Sequence, residues 1–328
     1  MSDVFPVRYS QPSPSALKTE LLKRYLFDEI TDCTLFKSGL NDVYQVKTDD
    51  KIFYLRISPS NKYILKDIEE EADIINLLVE NGVNAAPPVC CNDGKYVWEI
   101  NAPEGKRFLI LFEEAKNSPS GDETKMHFNL GQMLAQIHTI TDKHKISVNR
   151  RGFEPVNLTT GPLELVKPYI NKEDFDFLAS ASQKCIEFVI ESVPATEPYY
   201  GFCHGDVQPN NYRFIGETPE LFDFDCMGTG WRASDIAVLL WNMSMGNEKY
   251  NQSSLWQSFL DGYNSVRLLT ESEMKCLPAF CALRLLWFMG VHMDLKERFT
   301  GDFGYNKDFF GFCINNFKSW YNKAFPEL

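Results

Sequence analysis

The sequence contains no CxxC pair and no Cys/His cluster, so neither a zinc site nor a disulfide framework is expected to organise it. Its nine cysteines are scattered, and the one adjacent pair, Cys90 and Cys91, has no matching pair elsewhere. That usage fits free thiols in a reducing compartment. Basic residues are also short: 33 Lys and Arg stand against 45 Asp and Glu, leaving a net charge of −12. This excludes a general nucleic-acid binder, because neutralising phosphates requires a basic surface. The N-terminus has no basic start followed by an apolar core, so no signal peptide is expected. No apolar run approaches bilayer-crossing length, so the expectation is a cytoplasmic protein with no membrane partner. Internal repeats and low-complexity tracts are missing too.

What is present describes a folded protein. Apolar residues make up 44% and charged residues 24% of 328, enough for two lobes with separate cores. Leu17, Leu21 and Tyr25 recur at helical spacing after the Pro12–Ser15 break. Val43–Val46 and Ile52–Ile57 flank the polar turn Thr48–Lys51, a hairpin pattern. Ile68, Ala72, Ile75, Leu78 and Val79 mark a helix face stopped by Gly82. Two further strands are expected at Tyr96–Ile100 and Phe108–Phe112, and Lys116–Glu123 reads as a linker. Beyond it the pattern is helical: Leu130, Leu134 and Ile137 line one face, and Leu178, Ala181, Cys185 and Phe188 another. Ser272–Arg298 and Lys307–Ala324 read as further helices.

One strand-rich island, Tyr200–Phe224, interrupts the helices. Two short strands there are joined by the turn Gly216–Pro219, which brings Asp206 and Asn211 to face Asp223 and Asp225. Clustered carboxylates repel one another and call for a cation, and a hard oxygen-seeking ion such as magnesium suits an acid-and-amide set. Phosphoryl transfer needs little more: a base for the attacking hydroxyl, and cations that neutralise the moving phosphate. His204-Gly205-Asp206 with Asn211 five residues after the aspartate has the spacing of a kinase catalytic loop. Asp223-Phe224-Asp225 follows a hairpin later, and Asp235-Ile236-Ala237 after that.

In these motifs the chain resembles the aminoglycoside phosphotransferase family, which includes choline-kinase-like and homoserine-kinase-like members. The resemblance implies an α+β, bilobal protein-kinase-like fold: a small mixed N-lobe with an antiparallel sheet, residues 1–115, binding ATP, and a larger, mostly helical catalytic and substrate lobe, residues 116–328. It implies Asp206 as catalytic base, Asn211 and Asp223 as magnesium ligands, and structural roles for His204 and Asp235. The place of Asp225 stays open between metal, substrate and a capping role. By the same resemblance Ser38, Gly39 and Asn41 lie in a nucleotide-covering loop, Arg56 takes the strand position of the phosphate-binding cation, and Glu71 is its helix partner. Leu109–Ala115 resembles the strand and hinge that take the adenine. His138 is read as a packing histidine.

Asp294 and Glu297 follow Trp287 and His292 on an expected helix, and with Trp231 and Tyr305 they are candidates for an acceptor pocket. Carboxylates beside aromatic faces suit a cationic acceptor. An ordinary solvated helix end is the other reading of the same charges. The function implied is ATP- and magnesium-dependent transfer of the γ-phosphate to a small-molecule hydroxyl: an aminoglycoside, an amino alcohol, homoserine or a sugar. Two alternatives share the scaffold, a protein serine/threonine kinase and a non-catalytic binding module. Only about ten residues separate Asp225 from Asp235, too few for an activation segment. A module without chemistry has no need of Asp206, Asn211 and Asp223 together.

Overall fold

A computed structural model describes residues 7–148, 150, 152–246, 249–296 and 305–326. The chain divides into two compact units, Met1–Ala115 and Lys116–Leu328.

In the first unit, helix α1 (Pro14–Arg24) is followed by strands β1 (Asp32–Ser38), β2 (Asp42–Lys47) and β3 (Ile52–Ile57), helix α2 (Leu65–Glu80), and strands β4 (Val97–Ala102) and β5 (Gly105–Glu113). The five strands form one sheet in the order β1-β2-β3-β5-β4, every pair antiparallel. Successive side chains of a strand point to opposite faces, and β5 shows the consequence. Its Leu109 and Leu111 join a core with Leu17, Leu21 and Tyr25 of the α1 segment, while Phe108 and Ile110 pack with Ile68 and Ala72 of α2. The sheet is thus buried on both sides, and the Phe108–Phe112 run of β5 is apolar because it serves both cores. Val79, expected on the α2 face, is exposed.

Alternation also fixes Arg56. On β3, Leu55 and Ile57 point to the α1 core, so Arg56 between them faces α2. Gly82, in a left-handed conformation (φ 86°), ends that helix as expected.

The second unit opens with a two-residue strand, β6 (Ser118–Pro119), inside the expected linker, and helix α3 (Glu123–Lys143). Helices α4 (Pro155–Leu158), α5 (Thr160–Val166) and α6 (Lys172–Ser192) follow. Then come strands β7 (Tyr200–Cys203), β8 (Tyr212–Gly216), β9 (Thr218–Leu221) and β10 (Gly228–Trp231), and helices α7 (Ala233–Gly246), α8 (Ser254–Asn264), α9 (Glu271–Asp294) and α10 (Lys307–Ala324). The island splits into two small sheets, β6-β8-β9 and β10-β7. The expected turn Gly216–Pro219 is tighter in fact: Ile215 pairs with Thr218, so Thr218 and Pro219 are strand residues.

Helix α9 is the axis of this unit, packing against α5, α6, α7 and α10. It is apolar on all sides rather than along one stripe, the mark of a buried helix. By length and composition it could also cross a bilayer, contrary to the expectation that no apolar run is long enough; 72% of its most apolar 18-residue stretch is buried inside the protein.

Helices α3 and α8 approach through reciprocal glycines. A Cβ on Gly131 would lie 2.0 Å from the carbonyl oxygen of Phe259, and one on Gly262 would lie 1.9 Å from that of Phe128. Both contacts are with backbone, so relief requires the helices to separate. Gly131→Ala is expected to destabilise the protein by about 1–3 kcal/mol, the usual range for overpacking. Urea denaturation measures it, and an unchanged midpoint would mean that the two helices part without loss.

Candidate active site

The loop between β7 and β8 carries the chemistry, and its shape is set by a carboxylate from the start of α7. Asp235, fully buried, accepts the backbone N–H of His204 on Oδ2 and that of Gly205 on Oδ1, both at 2.7 Å. His138 of α3 approaches the same Oδ2 through Nε2 at 3.1 Å, and its Nδ1 lies 2.8 Å from the Tyr263 hydroxyl. Burial holds the His138 imidazole down to about 4 against an ordinary 6.5, with the hydrogen bond to Asp235 opposing. The ring is therefore neutral at pH 7, donating from Nε2 and accepting the Tyr263 hydroxyl proton at Nδ1. Burial would raise the Asp235 carboxyl, but the hydrogen bond from His138 and the Gly205 N–H help to hold it below its ordinary 3.8.

Gly205 sits at φ +81°, and a Cβ there would meet the Cys226 carbonyl oxygen at 2.3 Å and the Phe153 ring at 2.3 Å. No other residue fits between two such neighbours. His204 acts as a strut: its Nδ1 accepts the N–H of Asp206 at 3.2 Å, and its Nε2 reaches the Phe222 carbonyl at 3.2 Å. The ring thereby joins the loop to the end of β9, and it lies against Phe224 with centroids 4.5 Å apart.

Asp206 ends this framework with both carboxylate oxygens engaged. Oδ2 accepts from Asn211 Nδ2 at 2.7 Å and from Gln208 Nε2 at 2.8 Å. Oδ1 takes Nη2 of Arg284, whose Nη1 donates to the Gly205 carbonyl at 2.9 Å. Asn242 of α7 donates to Gln208 Oε1 at 2.9 Å and so holds it in place. The Phe222 N–H donates to the Asn211 carbonyl at 2.9 Å, which puts Asn211 and Asp223 at the same end of the β8–β9 hairpin. Asp223 adopts the left-handed region at φ 64°, a strained conformation that aspartate tolerates better than most residues. Asp225 is buried; Arg150 Nη1 donates to its carbonyl at 3.0 Å and lies 4.0 Å from its carboxylate.

In the first unit Arg56 and Glu71 meet in a two-pronged ion pair, Nη1 to Oε1 and Nη2 to Oε2, each 2.7 Å, with both side chains buried. Ser38 and Asn41 lie where β1 turns into β2. The Gly39 N–H donates to the Asn41 carbonyl at 3.0 Å, and Ser38 Oγ donates to Asp42 at 2.8 Å. Asp42 is in turn paired with the buried Arg107 at 2.6 Å, which anchors the turn to β5.

The expected acceptor residues fare differently. Trp231 is a core residue, 2% exposed, with its indole N–H on the Val193 carbonyl at 3.0 Å and its ring edge-on to Tyr200. Its place on β10, paired with β7, turns it inward, away from the role of a pocket wall. Asp294 is exposed at the end of α9, and Glu297 lies outside the described residues. Sequence reasoning missed Gln208 and Arg284. The second left a readable signal, as the one charge within the apolar run Leu277–Val291.

A neutral buried His138 gives the stability a definite acid dependence. The unfolded chain takes up the histidine proton as pH falls through 6.5, whereas the folded protein does so only near 4. The unfolded state then binds more protons, so stability is complete above 6.5 and is lost as pH falls toward 4, by up to about 3 kcal/mol. The depressed Asp235 carboxyl adds a loss of the same sign at lower pH. Calorimetry at pH 7 and pH 5 should show a smaller drop in melting temperature for His138→Gln than for the wild type. An equal drop would remove His138 as its source.

Residues 32–269 match the phosphotransferase enzyme family. An uncharacterised protein of Synechocystis sp. is 36% identical over 301 residues, 89% of this chain and 81% of that protein. Among solved structures, amicoumacin kinase hAmiN, in complex with AMP-PNP, Ca2+ and Ami, has a TM-score of 0.76 at 20% identity, covering 96% of this chain and 94% of its own. A microcompartment-associated aminopropanol kinase has a TM-score of 0.71 at 17% identity, covering 94% and 96%. The α+β fold with its antiparallel sheet is therefore kinase-like, and the chain belongs to the phosphotransferase enzyme family.

Proposed function

We propose that the protein transfers the γ-phosphate of ATP, with magnesium, to a hydroxyl group of a small molecule, and that Asp206 is the base. The observation that carries this reading is the Asp206 carboxylate, fixed through both oxygens on a loop that Asp235 makes rigid. A carboxylate oxygen offers about two lone-pair sites, and Arg284 is the one donor on Oδ1 among the described residues. The acceptor hydroxyl takes the remaining position. Its proton passes to Asp206, its oxygen bonds to the γ-phosphorus, and the bond from that phosphorus to the β,γ-bridging oxygen breaks, leaving ADP.

Among the described residues no three His, Cys, Asp or Glu side chains are placed to hold a metal by themselves. Asn211 and Asp223 fit magnesium nevertheless, since it commonly takes one or two protein oxygens and completes its shell with phosphate and water. The Asn211 amide nitrogen faces Asp206, so its oxygen faces the other way. Bound magnesium would neutralise charge on the transferring phosphate. Arg56, oriented by Glu71, would hold the nucleotide phosphates, and Ser38, Gly39 and Asn41 would cover them. The AMP-PNP and Ca2+ bound to the amicoumacin kinase support a nucleoside triphosphate donor and a divalent cation.

The segment between Asp225 and Asp235 favours a small acceptor over a protein. It is occupied by β10, paired along its whole length with β7, which leaves no activation segment to dock a polypeptide.

ADP release with ATP and magnesium across aminoglycosides, amino alcohols, homoserine and sugars tests the reading. Asp206→Ala is expected to lower turnover of any accepted compound by about 10²–10⁴-fold with nucleotide still bound. Near-normal turnover would remove Asp206 as base. Asp223→Gly separates chemistry from folding: glycine is relaxed at φ 64°, so the melting temperature should hold or rise while magnesium-dependent turnover is lost. Retained turnover would remove Asp223 from the metal site.

A further inference from the structure

The side of Asp206 away from Asn211 is formed by α9, and the group that α9 places there is a cation. Arg284 is 93% removed from solvent, with 7% of its surface exposed. Its guanidinium lies 4.0 Å from the centroid of the Trp287 ring and 5.6 Å from that of Trp241, so aromatic faces restrict its orientation. Two of its N–H groups are spent on Gly205 and Asp206. Its Nε–H is buried and has no partner among the described residues, and the same is true of the indole N–H of Trp241. A cavity of about 20 Å³ lies against Arg284, with Gly205, Ser234 and Trp287 also in its wall.

Buried N–H groups are nearly always paired, so two unpaired ones beside a cation, at the edge of a catalytic carboxylate, call for an explanation. Each is a donor with no acceptor among the described residues. Arginine is suited to such a place because its planar fork matches a carboxylate with two parallel hydrogen bonds. A second ammonium group brought to the same spot would meet a fixed positive charge in a medium of low dielectric.

From this geometry we infer that Arg284, with Trp241 beside it, recognises a carboxylate on the acceptor, so that the substrates are small alcohols carrying a carboxylate rather than polycationic ones. The inference rests on Asp206 marking where the acceptor hydroxyl sits. Asn211 and Gln208 occupy Oδ2, on the side of the proposed metal, and Arg284 occupies Oδ1, on the side where the acceptor must lie. The carboxylates beside aromatic faces had suited a cationic acceptor, but the side chain placed on Oδ1 of Asp206 is itself a cation. An amino acid with a hydroxyl group belongs to this class, because its carboxylate can meet Arg284 while its hydroxyl meets Asp206.

Three matched pairs test this: homoserine against 3-amino-1-propanol, serine against ethanolamine, and glycerate against ethylene glycol. Each pair differs by the carboxylate alone. Calorimetric binding in the presence of a non-hydrolysable ATP analogue and magnesium is measured alongside ADP release with ATP. In the wild type at least one carboxylate member should bind about 10-fold or more tightly than its partner, the loss typical of a charge-assisted hydrogen bond left unmade. Arg284→Gln should collapse that ratio toward one, and Arg284→Lys, which keeps the charge and loses the fork, should restore part of it. A merely structural Arg284 would weaken both members of a pair alike and leave the ratio standing. Wild-type ratios near one for all three pairs, or a ratio unmoved in Arg284→Gln, would overturn the inference. Discriminating binding without any phosphate transfer would leave it standing and count against the proposed chemistry instead.

Discussion

A loop that must hold a catalytic carboxylate has a difficulty built into its backbone. The turn from β7 into β8 leaves the N–H groups of His204 and Gly205 without strand partners, and these two residues are buried, so water cannot supply them. Asp235 resolves this from the start of α7 by giving one carboxylate oxygen to each N–H. The same side chain takes His138 from α3, so one buried charge ties a strand end, a loop and two helices. The charge is tolerable because three donors surround it; removing any of them would leave a buried ion partly unpaid, which costs far more than a surface pair. The conformation of Gly205, the strut made by His204 and the aim of Asp206 all follow from that anchor.

Much of this was legible in the sequence because it is local. A strand of period two and a helix of period 3.6 leave patterns that survive any tertiary context, which is why the β2–β3 hairpin and the α2 stripe could be read within a residue or two. Arg56 and Glu71 were expected as partners through the family resemblance; the parity of β3, which sends Arg56 to the face that α2 covers, gives the physical reason that they meet as a bidentate pair. The His204–Asn211 spacing was readable for the same reason: all the atoms belong to one turn.

What was not legible depends on contacts between distant segments. Trp231 was expected as an aromatic wall; pairing of β10 with β7 makes it a strand residue whose ring lies in the core. The exposed Asp294 and the buried Arg284 lie on one helix, yet periodicity could not separate them, because α9 is covered on every side and has no polar face. The reciprocal glycines of α3 and α8 are likewise unremarkable in sequence. Only the crossing shows that neither position admits a Cβ.

This division also separates what the family shares from what an individual member selects. The Asp206 carboxylate faces two ways, and its two oxygens are governed by different parts of the chain. Oδ2 is controlled by Gln208 and Asn211, within five residues of the base. Oδ1 is controlled by Arg284, 78 residues away, on a helix whose sequence is otherwise dictated by core packing. A substitution at Arg284 changes the charge beside Oδ1 and also removes a donor to the Gly205 carbonyl, while the Asp235 anchor keeps its own partners. Membership in a phosphotransferase family can therefore be read from a short stretch of sequence, while the surroundings of Oδ1 depend on a side chain from a distant helix and show only in the fold.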